Sequence, residues 1–154
     1  MQKIEREILV NKAKELLSNG TVDRVLGWRK GEFDYDITPA VMRTPEEIDS
    51  DFVWNSFCGA NFSKYLVKET IKSENKVLVF LKPCDTYSFN QLLTEHRFDR
   101  EKVYALAIPC EGMIDVRKVK QKADGLTSAA EDGDNVVLHT LYDGDITVSQ
   151  KELL

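Results

Sequence analysis

No stretch of this 154-residue chain is apolar for long enough to span a bilayer. A basic excess is missing too. Acidic residues number 26 against 21 basic ones, and no Lys/Arg-rich run offers nucleic acid a face to grip. Histidine is limited to two residues and cysteine to three, with no C-x-x-C and no paired Cys/His cassette, so the usual zinc signatures are absent. The chain also lacks a nucleophile elbow, a Walker loop and the Rossmann glycine fingerprint. It opens on a charged amphipathic segment instead of a signal peptide, and an odd cysteine count implies free or ligating thiols. The expected setting is cytoplasmic.

What remains is ample for a core. Hydrophobic residues make up 42% of a chain whose length suits a single α/β domain over 1–154. Ile4, Ile8, Leu9, Ala13, Leu16 and Leu17 recur at helical spacing, which predicts a helix over 2–18 stopped by Asn19-Gly20. The run 22–28 reads as a strand, followed by a turn at Lys30-Gly31 and short extended pieces around Pro39. Thr44-Pro45 carries the signature of a helix start. The run 51–58 is ambiguous between strand and packed loop, and a helix after Gly59 is expected to turn Phe62, Tyr65, Leu66 and Ile71 inward.

The clearest unit follows. KVLVFL (76–81) and KVYALAI (102–108) are buried strands, joined by a helix over 86–96 with Phe89, Leu92, Leu93 and His96 on one face. Strand, crossover helix and strand predict parallel pairing. Asp115 can cap another helix through Val116, Val119 and Ala123, and 124–135 reads as a polar loop. Apolar runs on either side of Asp143-Gly144 predict a hairpin over about 136–149. The fold class is α/β: a small, mostly parallel sheet with flanking helices and a C-terminal β-hairpin. His96 and His139 read as structural.

Both apolar strands end in Pro-Cys-acid: Lys82-Pro83-Cys84-Asp85 and Pro109-Cys110-Glu111-Gly112. Ligands of open parallel sheets sit outside the carboxyl ends of the strands, so both corners fall at the edge where a ligand would bind. Asp85, Thr86 and Ser88 open a helix whose free N–H groups suit an anion, and Glu111-Gly112 lets backbone approach a ligand closely. Cys58 precedes Cys84 by the same spacing as Cys84 precedes Cys110, so a strand at 52–57 could bring all three thiols to one edge. Each has a plainer reading: small buried hydrophobes for the thiols, a helix cap for Asp85. Trp28 and Arg29 offer a ring and a guanidinium to an anionic planar ligand, or a Trp packed over the sheet beside a solvated Arg.

The block Lys82–Lys118, KPCDTYSFNQLLTEHRFDREKVYALAIPCEGMIDVRK with an inner Glu95…Arg100-Glu101, and the earlier WNSFCGANFSKYL, carry a resemblance over residues 50–120. They resemble the beta-subunit family of coenzyme F-420 hydrogenases and dehydrogenases, with its relatives in hydrogenase and formate dehydrogenase complexes. Pro83 stands where that family usually has glycine. The resemblance implies an electron-transfer subunit of an anaerobic oxidoreductase, inactive alone, that passes electrons between a flavin (FAD) and iron–sulfur partners. By the same resemblance Lys82, Cys84, Asp85, Thr86, Cys110, Glu111 and Gly112 would lie at the cofactor, with Trp28, Arg29, Asn55 and Asn61 as neighbours. Cys58, Cys84 and Cys110 would be the candidate metal ligands. The C-x-x-C-x-x-C cassettes of ferredoxin modules, which follow in relatives, are not among these residues. Any cluster would then belong to a further segment, a partner subunit or a ferredoxin-type module. The alternatives are a cofactor-free docking subunit of such a complex and a thiol- or metal-binding protein.

Overall fold

The computed structural model describes residues 5–72, 74–110, 112–142 and 144–154. It is α/β, as the patterning predicts. Helix α1 (Arg6–Ser18) leads into β1 (Arg24–Lys30) and β2 (Ile37–Met42). The short helix α2 (Pro45–Asp51) and then α3 (Ser63–Lys72) precede β3 (Val77–Leu81). The crossover helix α4 (Pro83–Thr94) returns the chain to β4 (Val103–Ala107). The first sheet has the order β2-β1-β3-β4, with β1 antiparallel to β2 and parallel to β3, and β3 parallel to β4.

Local chemistry accounts for these elements. Thr44 Oγ1 accepts from the Glu47 N–H at 3.2 Å, so α2 begins as its cap predicts. Every residue of β3 is buried, as a strand covered on both faces requires. β4 is only half-buried because it is an edge strand, a correction to its expected burial. Pro39 falls inside β2, the opposite edge, where a missing N–H is tolerated. Leu9, Val10, Ala13 and Leu16 of α1 pack with β1 and β3 in the main apolar cluster.

Helix positions correct two expectations. Ser63, Leu66, Glu69 and Thr70 form the buried stripe of α3, and Ile71 lies off it, 79% exposed. Glu69 earns its buried place by meeting Arg24, itself 1% exposed, at 3.1 Å. Burial acts to raise the Glu69 carboxyl, but hydrogen bonds from Lys72 and Arg24 outweigh it and hold it below its usual range. His96 is exposed, not on an apolar face. α4 ends at Thr94, and His96 follows with φ 55° while its N–H bonds the Leu93 carbonyl.

After α5 (Val116–Lys122), started by Asp115 accepting from the Arg117 N–H, the chain forms a second sheet. Its strands are β5 (Leu126–Asp132), β6 (Asn135–Thr140) and β7 (Asp145–Ser149), all antiparallel in that order, before the short α6 (Gln150–Leu153). The β6–β7 hairpin stands as predicted, though Asp143 of its turn lies outside the described residues. The polar loop over 124–135 does not: most of it is β5. This sheet covers a smaller apolar cluster that includes Val119, Val136, Leu138 and Leu153. Ile37 packs against both clusters. No helix among the described residues is long and apolar enough to cross a membrane.

Candidate functional site

β3 and β4 pair in register to their ends, Leu81 opposite Ala107, and the Ile108 N–H bonds the Leu81 carbonyl at 2.9 Å. Pro83 and Pro109 then stop the ladder, and both corners sit at the carboxyl edge of the sheet. That placement is the one expected. The side chains within it divide into buried and accessible sets.

Lys82 and Asp85 form the buried set, 1% and 2% exposed. The Lys82 ammonium lies 3.0 Å from Asp85 Oδ2, donates to the Ala60 carbonyl at 3.0 Å and sits 4.9 Å over the Trp28 ring. Asp85 Oδ2 also accepts from the Lys82 backbone N–H at 3.1 Å, the half of a capping box that a third helical residue supplies. A buried ammonium needs this set of partners, and its donors are directed inward. Lys82 and Asp85 therefore bind the corner together and present no charge to a ligand.

Trp28 corrects the expectation of an aromatic surface. It is wholly buried, with Phe62 at 4.4 Å and Trp54 at 5.0 Å between ring centroids, and its indole N–H donates to the same Ala60 carbonyl at 3.3 Å. Arg29 is exposed, but it lines a separate hollow with Lys30, Ser50, Asp51 and Val53. Asn55 is spent on the 53–58 loop, its Oδ1 accepting from the Phe57 N–H at 2.8 Å.

The expected strand over 52–57 is not formed beyond a single bridge between Arg29 and Phe52. Cys58 is buried within the 53–58 loop, its sulfur 3.4 Å from the Asn55 N–H and 3.6 Å from the Val53 carbonyl. Burial pushes the Cys58 thiol up to about 12, and burial followed by the Asp85 charge raises Cys84. Cys84 is exposed and Cys110 half-buried. The Gly112 N–H points at the Cys110 sulfur from 3.4 Å. No group of three His, Cys, Asp or Glu able to hold a metal ion occurs among the described residues, so the expected three-thiol metal site is not assembled there. Glu111 lies outside the described residues. Gly112 has φ 136°, and a Cβ there would meet Leu154 at 3.4 Å, so this corner uses glycine for its backbone shape.

Beside the first corner runs a cleft of about 600 Å³, lined by Pro39, Asn61, Tyr65, Tyr87, Ser88 and Gln91 among others. Asn61 builds its wall. Its Oδ1 accepts from the Ser63 N–H at 2.9 Å to start α3, and its Nδ2 donates to Ser88 Oγ at 2.7 Å, tying α3 to α4. Ser63 Oγ reaches the Asp85 carbonyl at 3.4 Å, so the cleft abuts the corner. Thr86 turns back to the Pro83 carbonyl at 2.7 Å. A smaller hollow of about 330 Å³, walled by Tyr35, Phe57 and Ile114, meets the cleft at Ala60. Of the residues expected at the ligand edge, Asn61 and Ser88 line the cleft. Pro39, Tyr87 and Gln91 escaped sequence reasoning because each reads as an ordinary helix-surface or strand residue, and Tyr65 because it was expected to face the core. The lone signal was Tyr87, an aromatic facing solvent one turn into a helix.

The cleft fits a planar heteroaromatic group such as a flavin ring. Its volume lies within the range of small-molecule sites, and its lining combines the aromatic Tyr65 and Tyr87 with the amide and hydroxyl residues Asn61, Ser88 and Gln91.

No protein-family model matches the chain. The F420-dependent formate dehydrogenase 1 subunit beta of Methanococcus maripaludis is 29% identical over 101 residues, 66% of this chain and 26% of its own length. The F420-dependent formate dehydrogenase subunit beta of Methanocaldococcus jannaschii matches with the same figures. The resemblance to F420 hydrogenase and dehydrogenase beta subunits holds. The chain spans about a quarter of the length of these curated relatives. In fold it is similar to a chain of the F420-reducing NiFe hydrogenase complex from Methanosarcina barkeri, with TM-score 0.66 and 17% identity over 94% of this chain and 54% of that one. Beta-subunit resemblance and α/β fold thus agree.

Proposed function

We propose that the chain is a flavin-linked electron-transfer part of an anaerobic oxidoreductase, working with subunits or ferredoxin-type modules that carry iron–sulfur clusters. The observation that carries this reading is the cleft that abuts the first corner, next to the sheet edge where parallel-sheet proteins bind ligands. The relatives' names, which describe F420-dependent formate dehydrogenase subunits, support the redox class. In this reading Tyr87 and Tyr65 hold the ring by its faces, and Asn61, Ser88 and Gln91 hold its polar edge. A bound flavin would supply the exchange between two-electron and one-electron carriers. The protein's share is to orient the ring, exclude water from one face and keep the wall rigid through Lys82, Trp28 and the Ala60 carbonyl.

The test is a titration of FAD into the anaerobically purified protein, followed by quenching of flavin fluorescence. Saturation at one flavin per chain is expected, and Tyr87→Ala should weaken it roughly tenfold, the scale of one aromatic contact. Because Tyr87 is 84% exposed, its loss leaves the core untouched, so unfolding does not confuse the result. Absence of binding, together with a stable complex with a redox subunit, would favour the cofactor-free docking role.

A further inference from the structure

The cleft beside the first corner carries one charged side chain, Lys64, and no carboxylate among the described residues that line it. Two other lysines nearby are neutralised: Lys72 on the same helix meets Glu69, and Lys82 meets Asp85, each at 3.0 Å. Both carboxylates are buried and engaged by those partners. Lys64 is exposed and meets no carboxylate among the described residues, and its ammonium lies 5.1 Å from the centroid of the Tyr65 ring. Its place is also unfavourable for the helix alone. Lys64 is the second residue of α3, whose first turn holds no acid, and a cation there opposes the dipole that an acid would complement. A position that breaks a local rule in this way is where function is to be looked for.

Several uncharged donors of the wall are already engaged within the protein. The Ser63 and Ser88 hydroxyls both donate to the Asp85 carbonyl, at 3.4 and 3.0 Å, and Gln91 Nε2 donates to Glu95 Oε1 at 3.0 Å. The charge of an anion entering the cleft therefore falls to Lys64. A lysine ammonium is a compact point charge that suits phosphate, and a ligand resting against Tyr65 comes within its reach. We propose that Lys64 makes the cleft selective for the phosphate ester of a flavin over the uncharged flavin, its ammonium pairing with the phosphate. This rests on the flavin reading of the same cleft, and adds to it the charge of the ligand and the residue that recognises it. Lys68, one turn along α3 and also exposed, is not among the lining residues and takes no part.

Riboflavin and flavin mononucleotide differ only in the phosphate, so titrating each into the anaerobically purified protein, with FAD alongside, isolates its effect. Quenching of flavin fluorescence reads the affinities. The phosphate should tighten binding roughly tenfold, the scale of one hydrogen bond to a charged group. Lys64→Gln should bring the mononucleotide down to the affinity of riboflavin, and retained riboflavin binding in that variant shows the cleft intact. Lys68→Gln should keep the full preference. Equal affinities for the two flavins in the unsubstituted protein, a preference that survives Lys64→Gln, or one lost equally in Lys68→Gln would each overturn the assignment and leave the flavin reading in place. If neither of the two flavins nor FAD binds, the flavin reading itself fails, and this inference with it.

Discussion

Asp85 lies where a ligand-binding residue was expected, yet its partners are Lys82 and Cys84. Removing one member of a buried pair strands the other's charge, so Asp85→Ala should cost about 3–5 kcal/mol, read from guanidinium unfolding. A loss below about 1 kcal/mol, the worth of an exposed pair, would mean that the ammonium reaches water and that the corner is open. The motif's position was legible in the sequence, because proline after an apolar run marks the end of a strand. Which way Lys82 points was not. That depends on the Ala60 carbonyl and the Trp28 ring, brought in from 22 and 54 residues away in sequence, and no local pattern encodes such a meeting. Trp28 illustrates the same limit: the apolar run around it is equally consistent with a ring over the sheet or inside it.

Among the elements, β1 is tightly packed at Gly27. A Cβ on Gly27 would stand 2.9 Å from the Phe52 ring and 3.4 Å from the Met42 methyl, both in the core. Gly27→Ala should therefore destabilise by about 1–3 kcal/mol through overpacking, seen as a lower unfolding midpoint with an unchanged denaturant slope. An unchanged midpoint would show that Phe52 swings aside freely. The β3–α4–β4 unit was readable because its strands are short apolar runs, flanked by prolines and separated by a helical length. β5 was not, since Ala129 is its one buried residue and its alternation is lost among Thr, Ser, Glu and Asp. A turn signal was nonetheless present. Asp132 pairs with Asn135 across Gly133-Asp134, with Gly133 at φ 57°, a two-residue connection that joins β5 to β6.

At the scale of the molecule, the two sheets are joined by specific contacts as well as by chain. The Ser56 N–H donates to Glu131 Oε1 at 2.9 Å, the Ala129 N–H donates to Asp34 Oδ1 at 3.1 Å, and Ile37 packs against both apolar clusters. We expect residues 1–154 to unfold as one domain. Trp28 and Trp54 report on the first cluster, and amide exchange of Val136 and Leu138 reports on the second. The two free energies should agree, and a lower value for the second sheet would divide the chain into two folding units. One further feature concerns the last residues. The Leu153 carbonyl accepts from the Asp115 N–H at 2.7 Å, the Leu154 carbonyl accepts from the Lys118 ammonium, and the Leu154 side chain rests on Gly112. Position 154 is thus an anchor point at the sheet edge: a spin label, dye or electrode tether attached there would start beside the Cys110 corner, whereas one attached at Glu5 would start from the far end of the sequence, ahead of α1.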